Sequence, residues 1–439
     1  MLLNEFTDKL LASAKAEGID TAEVYSVKRE NTEIIARGDS KDFKSNLSIS
    51  VRFRAIINGK MGYAYTEAID EEAVEQLIKG VKDATSLIED EDEQFMFEGA
   101  EEYPTIEYSK RDENTPSAKQ MISALDGLEA YAKAKDSKVA GMDQAVLQRK
   151  NSKINIVNTK GMNLEFSDSV YISYVSILAK DGDDVSTQYE SHISRNFEDI
   201  NFKNLADKAI EKAIEALHAK PISSGLYNIV INNEAMGELL DTYSPIFSAE
   251  NAQKGLSLMA GKEGSLVANQ AVKLVDNPLL KDGWSSCPFD DEGVPSKNKN
   301  IIENGKLITL LHNLKTANKA GLESTGNASS SNVSPTNMYF ENGDISFDDM
   351  LNNIGEGIVI TELSAMHSGA NAISGDFSLP AKGYTFKNGK KDKMLNQITV
   401  SSNFYTLLKQ MECFANDLAF KRPIASPSVY VGKLSVAGK

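Results

Sequence analysis

The stretch from Ser224 to Leu240 constrains the fold more than any other part of the chain, because its pattern changes from strand to helix within a few residues. Leu226–Ile231 is rich in β-branched and aromatic residues, which predicts a short strand. Either Asn232 or Asn233 can cap the following helix by accepting a hydrogen bond from a free backbone N–H. A strand that leads directly into a helix presents its turn at a sheet edge, a favoured place for chemistry.

The turn and first helical residues read Asn233-Glu-Ala-Met-Gly-Glu238. With His at the first and last positions, this would be a His-Glu-x-x-x-His site, in which two imidazoles bind zinc and the Glu activates water. Positions five apart differ by roughly 140° around an ideal helix, so such a spacing needs local widening, which Gly237 could permit. Since neither end is His, we expect no metal here: Asn233 caps the helix and Glu234 complements its positive end.

The 439-residue chain is acidic, with 47 Lys and Arg against 63 Asp and Glu and a formal net charge of −16. An acidic surface repels phosphate backbones, so we expect no nucleic-acid partner. No apolar run approaches the ~20 residues of a membrane helix, and the first residues lack the basic lead of a signal peptide. The two cysteines, Cys287 and Cys413, lie far apart, which excludes a disulfide framework and favours a cytoplasmic location.

Composition and periodicity predict four parts of the chain: an N-terminal α/β subdomain (1–88), an acidic linker (89–116), a second α/β subdomain (117–221) and a β-rich C-terminal domain (222–439). The linker begins with five consecutive acids, a pattern typical of a solvated connection. The predicted fold class is therefore α+β. Helices flank antiparallel hairpins in the N-terminal part, and the C-terminal domain contains an antiparallel or mixed sheet that is partly closed.

Four Asn-Gly dipeptides predict hairpins, because both residues tolerate the positive φ of a type I′ turn. They lie at 58–59, 304–305, 342–343 and 388–389. Two polar stretches, 323–337 and 366–378, interrupt the C-terminal pattern, and long loops on a rigid sheet are where binding usually resides. The second stretch supplies the candidates for substrate or partner binding, which are His367, Gly369, Asn371, Gly375 and Asp376.

Other features of the sequence favour structural roles. The apolar spacing predicts one helix from Met121 to Ala132 and another that His218 ends. Cys413 lies in a helical context, which favours a buried thiol over a nucleophile. The acidic turn from Asp290 to Gly293 could hold a cation, although such turns are usually only turns. The residues alone therefore do not identify an enzyme.

Short pieces in a fixed order over nearly the whole chain resemble the TldD/PmbA family, described as modulators of DNA gyrase and associated with a heterodimeric metalloprotease. The pieces are Ala22–Tyr25, the hairpin from Ser50 to Tyr63, Asp290–Pro295, Ile302–Gly305, Ser324–Asn327, Gly375–Ser378, Gly383-Tyr384 and Ala415–Asp417.

In that family the catalytic subunit, TldD, carries His-Glu-x-x-x-His and a Cys ligand near the C-terminus. Matched to this sequence, Asn233 and Glu238 stand at the two His positions, Glu234 keeps the position of the base, and the Cys position falls on Phe414 or on Cys413 depending on the alignment. The resemblance therefore implies the non-catalytic partner, TldE or PmbA. It further implies no cofactor in this chain, zinc in a TldD-like subunit, assembly as a heterodimer with that subunit or as a homodimer, and unfolded peptides as substrates.

Two alternatives remain open at this point. The chain could hydrolyse peptides alone, with Glu234 as base and Glu238, His367 or Cys413 as metal ligands, although these ligand types and spacings suit zinc poorly. It could instead be a non-enzymatic protein-binding modulator, related to gyrase or to toxin–antitoxin systems. Its acidic charge would then suit a basic protein target.

Overall fold

The computed structural model describes residues 1–38, 40–89, 94–112, 114–330 and 332–439. The N-terminal half contains a long antiparallel sheet with helices. Its elements are α1 (Leu3–Ala16), β1 (Thr21–Arg37), β2 (Ser40–Ile57), β3 (Lys60–Thr66), α2 (Glu71–Leu87), α3 (Ala118–Ser123), α4 (Leu128–Lys135), β4 (Val139–Asn158), β5 (Asn163–Asp181), β6 (Asp184–Ser194) and α5 (Phe202–Glu215).

The six strands of this sheet run in the order β3-β2-β1-β4-β5-β6. Because β1 pairs with β4 over most of its length, the stretches before and after the acidic linker share one sheet. Two helix groups cover one face of it. The first group, α1 and α2, forms a core that contains Phe6 and Val81. The second group, α3, α4 and α5, forms a core that contains Ala209. The opposite face packs against the C-terminal half, where Met162 meets Phe289.

The C-terminal half is β-rich and begins with the strand-to-helix unit predicted from the sequence. Its elements are β7 (Gly225–Ile231), α6 (Asn233–Tyr243), α7 (Ala249–Gln253), β8 (Leu274–Asp276), β9 (Lys299–Glu303), β10 (Lys306–Leu307), α8 (Leu314–Ala320), β11 (Ala328–Ser329), β12 (Asn332–Val333), β13 (Met338–Phe340), α9 (Phe347–Ile354), β14 (Glu356–Leu363), α10 (Met366–Gly369), β15 (Asp376–Lys387), β16 (Lys390–Asn403), α11 (Phe404–Gln410), β17 (Cys413–Phe414) and β18 (Val429–Ala437).

The largest C-terminal sheet closes on itself. Its order is β16-β15-β14-β7-β18-β17, and an additional pairing of β16 with β18 completes a ring of five strands. β7 and β14 are parallel, whereas the other pairs are antiparallel. Successive residues of β7 point to opposite sides: Ile229 and Ile231 join the large core that contains α6, and Val230 joins a smaller core beside α9. The predicted α+β class with a mixed, closed C-terminal sheet is confirmed.

Three of the four Asn-Gly dipeptides form hairpin turns. Both residues have positive φ at 58–59, 304–305 and 388–389, and the flanking residues pair directly. The prediction for 342–343 is wrong, because this dipeptide joins β13 to α9. There the glycine is required by a close approach, since a Cβ on Gly343 would lie 1.9 Å from the carbonyl oxygen of Phe414.

Three predictions of helical structure need correction. The helix expected from Met121 to Ala132 is broken into α3 and α4, and Gly127 takes a φ of +69° just before the second helix. His218 lies beyond the end of α5 with a φ of +61°, where its ring contacts Asp181. Cys413, expected in a helical context, lies in a short strand that pairs with β18. No helix in the described ranges has both the length and the apolar character that a membrane span requires.

The connection between α2 and α3 contacts the C-terminal half. Tyr103 donates a hydrogen bond of 2.9 Å to the carbonyl oxygen of Gly293, and the Ser109 N–H donates one of 2.8 Å to Asp282. Residues 90–93 of the acidic run lie outside the described residues. From Gln94 onward, the described part of the predicted linker is therefore packed on the protein and not simply solvated.

Candidate functional site

The site begins at the turn between β7 and α6. Asn232 is the N-cap residue of α6, and its side chain accepts a 2.9 Å hydrogen bond from the Ala235 N–H. Asn233, which was expected to cap the helix, is the first helical residue. Its side-chain amide donates to the carbonyl oxygen of Asp417 at 2.9 Å, and its N–H donates to the Ser428 hydroxyl at 3.1 Å. Asn233 therefore ties the start of α6 to the segment that precedes β18.

Glu234 belongs to a cluster of alternating charges. The Lys421 ammonium donates to Glu234 at 2.6 Å and to Glu190 of β6 at 2.7 Å. Lys212 of α5 also contacts both carboxylates, at 3.6 Å from Glu234 and 2.7 Å from Glu190. The two lysines thus bridge the N-terminal sheet and the C-terminal half.

Glu190 is the most buried member of this cluster, with 5% of its side chain exposed. Burial acts to raise the pKa of its carboxyl, but hydrogen bonds from Lys212 and Lys421 bring that pKa below its ordinary value. Burial likewise opposes the charge of Lys421, and its hydrogen bonds to Glu190 and Glu234 raise its pKa. The charged forms of the cluster therefore stabilise one another.

Glu238 has its own cation, because Arg422 donates to it at 2.7 Å. Asp241 lies one turn further along α6, and burial raises the pKa of its carboxyl while the Arg422 charge opposes that shift. Each carboxylate of the Asn-Glu-x-x-x-Glu motif therefore has its own cation: Lys421 binds Glu234, and the adjacent Arg422 binds Glu238.

Gly237 allows the segment that carries these cations to approach α6 closely. A Cβ at this position would lie 3.3 Å from the Ile424 carbonyl oxygen and 3.5 Å from the Ala425 Cα. The helix is α-helical without interruption from Asn233 to Tyr243. Gly237 therefore serves the packing of the 421–426 segment and does not widen the helix.

The motif residues do not fit a zinc site. Catalytic zinc takes three protein ligands, mostly His, Cys or carboxylate, whereas Asn233 offers only a neutral amide oxygen and Glu234 and Glu238 are each bound to a cation. A Lys and an Arg close to these carboxylates would also repel a metal ion. Among the described residues, no three His, Cys, Asp or Glu side chains are grouped so that they could hold one.

The motif borders a cleft of about 610 Å³ between the N-terminal sheet and the closed C-terminal sheet. β6, an edge strand, lines one wall with residues 184–189, and its Val185 and Tyr189 side chains are about half exposed. Charged side chains on the other walls are paired with one another, for example Lys382 with Glu362 at 2.9 Å and Lys391 with Glu215 at 2.6 Å. The cleft therefore combines a strand edge and apolar side chains with charges that are already neutralised.

The loop candidates lie apart from this cleft. His367 is exposed on α10, and none of the five candidates is among the residues that line the cleft. Asn371 and Gly375 shape the loop: the Gly375 N–H donates to the Asn371 carbonyl at 2.8 Å. Asp376 accepts a hydrogen bond from Asn403 at 2.9 Å, and its carbonyl oxygen accepts one from Tyr243 at 2.8 Å. The loop is thus attached to the far end of α6.

Neither position considered for the Cys ligand places a thiol at the motif. Cys413 packs beside α9 in the core that contains Val230, whereas α6 lies on the other side of β7. Phe414 is buried and stacks at an angle against Phe340. Burial raises the pKa of the Cys413 thiol, which disfavours the thiolate that a metal or a nucleophilic reaction needs.

The acidic turn at 290–293 joins the two halves of the protein. The Tyr25 hydroxyl donates to Asp291 at 2.8 Å, and the buried Arg54 lies 2.7 Å from Glu23 and 3.5 Å from Glu292. In this turn Glu292 therefore pairs with a cation of the N-terminal sheet, Asp291 accepts a hydrogen bond from a tyrosine, and Asp290 accepts hydrogen bonds from the N–H groups of Val294 and Ala328.

Sequence reasoning missed Glu190, Lys212, Lys421 and Arg422. One signal in the sequence could have found Lys421 and Arg422. They are adjacent and follow Asp417 by only a few positions, so placing Asp417 near the motif would also have placed these two cations there. Glu190 and Lys212 gave none, because they reach the motif only through the packing of two distant elements.

Three family models match consecutive parts of the chain. They describe PmbA/TldA metallopeptidases: domain 1 matches residues 22–85, the central domain matches 111–217 and the C-terminal domain matches 224–438. The chain belongs to the PmbA/TldD family of metallopeptidases.

Individual relatives agree with this membership. A crystal structure from Thermotoga maritima, described as a modulator of a DNA gyrase, superimposes with a TM-score of 0.91 at 34% identity and covers 99% of this chain and 100% of that one. A metalloprotease of Methanothermobacter thermautotrophicus is 25% identical over 402 residues, or 89% of this chain and 86% of the relative. TldE from Thermococcus kodakarensis shares the fold, with a TM-score of 0.86 at 20% identity over 99% of this chain and 100% of that one.

Proposed function

We propose that this chain is a PmbA/TldE-like, non-catalytic subunit of a cytoplasmic metalloprotease that processes unfolded peptides, and that a TldD-like subunit carries the zinc. One observation carries the proposal: Lys421 and Arg422 bind Glu234 and Glu238, so the motif of this family is held by internal ion pairs. A carboxylate whose oxygen already accepts a hydrogen bond from an ammonium is poorly placed to take a proton from a water molecule, because that lone pair is engaged.

The cleft beside the motif suits a role in holding peptides. An extended peptide can add to a sheet edge through main-chain hydrogen bonds, which suits sequence-tolerant binding. β6 is such an edge, and Val185 and Tyr189 offer apolar contacts. The paired charges around the cleft give no preference for a charged substrate.

The first experiment measures metal content and peptidase activity on the purified chain. We expect far less than one zinc per chain, no turnover of an unfolded peptide such as reduced casein, and no effect of chelators. Co-expression with a His-Glu-x-x-x-His homologue from the same genome should give a complex that contains zinc and cleaves the peptide.

A matched pair of variants makes this test specific. Glu234→Gln in this chain should leave the activity of the complex within about twofold of wild type, because Glu234 does not act as the base. The same change in the Glu of the homologue's motif should abolish turnover. Stoichiometric zinc in this chain, or loss of activity with Glu234→Gln while the complex stays assembled, would refute the proposal.

A further inference from the structure

A buried lysine, asparagine and aspartate meet where the polar stretch 323–337 packs on strands β8 and β9. Lys299 of β9 lies directly opposite Asp276 of β8, and its Nζ is 3.2 Å from Oδ2 of Asp276. The same Nζ lies 2.8 Å from Oδ1 of Asn327. The Nδ2 of Asn327 donates to that same oxygen of Asp276 at 2.8 Å. Each of the three side chains therefore contacts the other two.

This triad of Lys299, Asn327 and Asp276 is closed off from solvent. Asp276 is 0% exposed, Asn327 is 1% exposed and the side chain of Lys299 is 7% exposed. Burial lowers the pKa of the Lys299 ammonium, while the charge of Asp276 opposes that shift. A desolvated lysine becomes a nucleophile when a neighbouring base takes its proton, and Asp276 lies within hydrogen-bond distance to do so.

The side-chain amide of Asn327 is held at both of its ends. Its Oδ1 accepts a hydrogen bond of 2.8 Å from the Thr325 hydroxyl in addition to the one from Lys299. Its Nδ2 donates to the carbonyl oxygen of Ser334 at 3.0 Å in addition to Asp276. A hydroxyl aimed at a carbonyl oxygen stabilises the negative charge that develops there when a nucleophile adds to the carbon. The amide is therefore fixed beside the amine and polarised.

Backbone contacts align the triad. Thr336 donates to Oδ1 of Asp276 from its N–H at 2.7 Å and from its hydroxyl at 2.9 Å, which leaves Oδ2 for Lys299 and Asn327. Ala328, the residue after Asn327, donates its N–H to Asp290 at 2.9 Å. Groups held in this way react as if they were highly concentrated, and a dry site keeps water from competing with the amine.

We propose that the folded chain joins Lys299 to Asn327 through an intramolecular isopeptide bond, with Asp276 as the group that moves the protons. Asp276 takes one proton from the Lys299 ammonium, and the free amine adds to Cγ of Asn327. Asp276 gives this proton to Nδ2, the Cγ–Nδ2 bond breaks and ammonia leaves. The second proton of Nζ then passes through Asp276 to the ammonia. An ammonium and a primary amide thus become a secondary amide and an ammonium ion, without an oxidant or any other reactant.

The bond attaches the polar stretch 323–337 to the sheet of β8 and β9. It joins residues that are 28 positions apart, and a crosslink of this kind restricts the unfolded chain. None of the three residues lines the cleft beside the Asn-Glu-x-x-x-Glu motif. The reaction is therefore independent of the proposed role in proteolysis.

The first test measures the intact mass of the purified full chain under denaturing conditions. Wild type should weigh about 17 Da less than its sequence, because one ammonia leaves each chain as the amine displaces it. Succinimide formation at an Asn-Gly dipeptide also releases ammonia, so the site of the loss must be located. A tryptic digest should contain a branched peptide in which Lys299 is joined to residue 327, with no cleavage after Lys299.

Matched variants connect the mass change to the triad. Lys299→Arg keeps the positive charge but removes the nucleophile, so this variant should have the full mass of its sequence. Lys306→Arg, at an exposed position on the neighbouring strand β10, should lose ammonia as wild type does. Asp276→Asn keeps the size of the side chain but removes the base, and the linked fraction should fall by about tenfold or more. Circular dichroism and thermal unfolding show whether each variant is folded.

A wild type with the unaltered mass of its sequence would overturn the proposal, whatever the variants do. Loss of ammonia that maps to another pair of residues, or that persists in Lys299→Arg, would overturn it as well. A folded Asp276→Asn chain that links as fully as wild type would remove Asp276 from the reaction. These outcomes are separate from zinc content and peptidase activity, which test the proposed function.

Discussion

Lys421 Nζ lies 2.6 Å from Oε1 of Glu234, and this contact attaches Lys421 to the start of α6. The same ammonium lies 2.7 Å from Glu190, a residue of the other half of the protein. One lysine therefore binds the motif carboxylate and links the two halves of the protein beside the start of α6. Its removal should affect stability more than chemistry.

Lys421→Met should lower the free energy of unfolding by about 1–2 kcal/mol. The buried Glu190 keeps Lys212 but loses its second cation, and an undercompensated buried charge is costly. Chemical denaturation at pH 7 measures the change, and Lys409→Met, at an exposed position, is the matched control and should stay within about 0.5 kcal/mol. Equal effects of the two substitutions would show that the cluster adds no stability.

The Glu190 cluster should also give an acid-dependent stability. The pKa of Glu190 is lower in the folded protein than in the unfolded chain, so its contribution is present above the unfolded value near 4.3 and is lost as pH falls through the folded value. Glu190→Gln should therefore reduce stability at pH 7 and flatten its dependence on pH below about 4.5. An unchanged acid profile would contradict the ion-pair assignment.

His312 should produce a second, separate pH dependence. It is 3% exposed, and burial lowers the pKa of its ring, while a backbone group of Thr316 and the charge of Glu263 oppose the shift. The unfolded chain binds the His312 proton more tightly than the folded protein does. The free energy of unfolding is therefore unaffected by His312 above about pH 6.5 and decreases as the pH falls below that value, by up to about 1.4 kcal/mol per pH unit. His312→Leu should remove this slope between pH 6.5 and 5.5, and exposed His367→Asn should not.

Arg54 should be among the most sensitive positions in the N-terminal sheet. It is almost fully buried between Glu23, which is completely buried, and Glu292 of the acidic turn. Arg54→Met leaves two buried carboxylates without their cation and should cost about 3–5 kcal/mol. Adding Glu23→Gln should restore part of that loss, and Arg29→Met, on the exposed surface of β1, should cost little. Urea unfolding of wild type and these three variants measures the differences.

Gly237 gives a test of the close approach between α6 and the 421–426 segment. Gly237→Ala gains helix propensity but places its Cβ 3.3 Å from a carbonyl oxygen, so the net change should stay within about 1 kcal/mol. Gly237→Val adds two more carbons toward the same backbone and should cost about 1–3 kcal/mol. If valine is tolerated as well as alanine in thermal unfolding, the segment does not pack here as described.

The parts of the fold that were predictable depend on local chemistry. Positive φ at Asn58 and Gly59 is a property of those two residues, and the resulting turn fixes the β2–β3 register. The β7–α6 unit follows in the same way from β-branched residues before an Asn cap. The break between α3 and α4 was missed because the apolar spacing continues across Gly127.

The site itself was only half predictable. The absence of His at positions 233 and 238 could be read directly from the sequence, because both positions belong to one short motif. The ion pairs that Glu234 makes could not be predicted in this way. Lys421 and Glu190 reach Glu234 only through the packing of distant parts of the chain. No local pattern records contacts between residues that are 187 positions apart.

The pairing of β7 with β18 sets the order in which the protein can be completed during synthesis. Asn228 and Tyr430 contact each other across 202 positions, and the C-terminal ring has no closing strand until residues 429–437 have left the ribosome. The N-terminal sheet can form before then, but Glu190 must wait for Lys421. We therefore expect a nascent chain halted before residue 420 to have a folded N-terminal half whose cleft wall is unsupported, with an open C-terminal sheet that needs protection from aggregation.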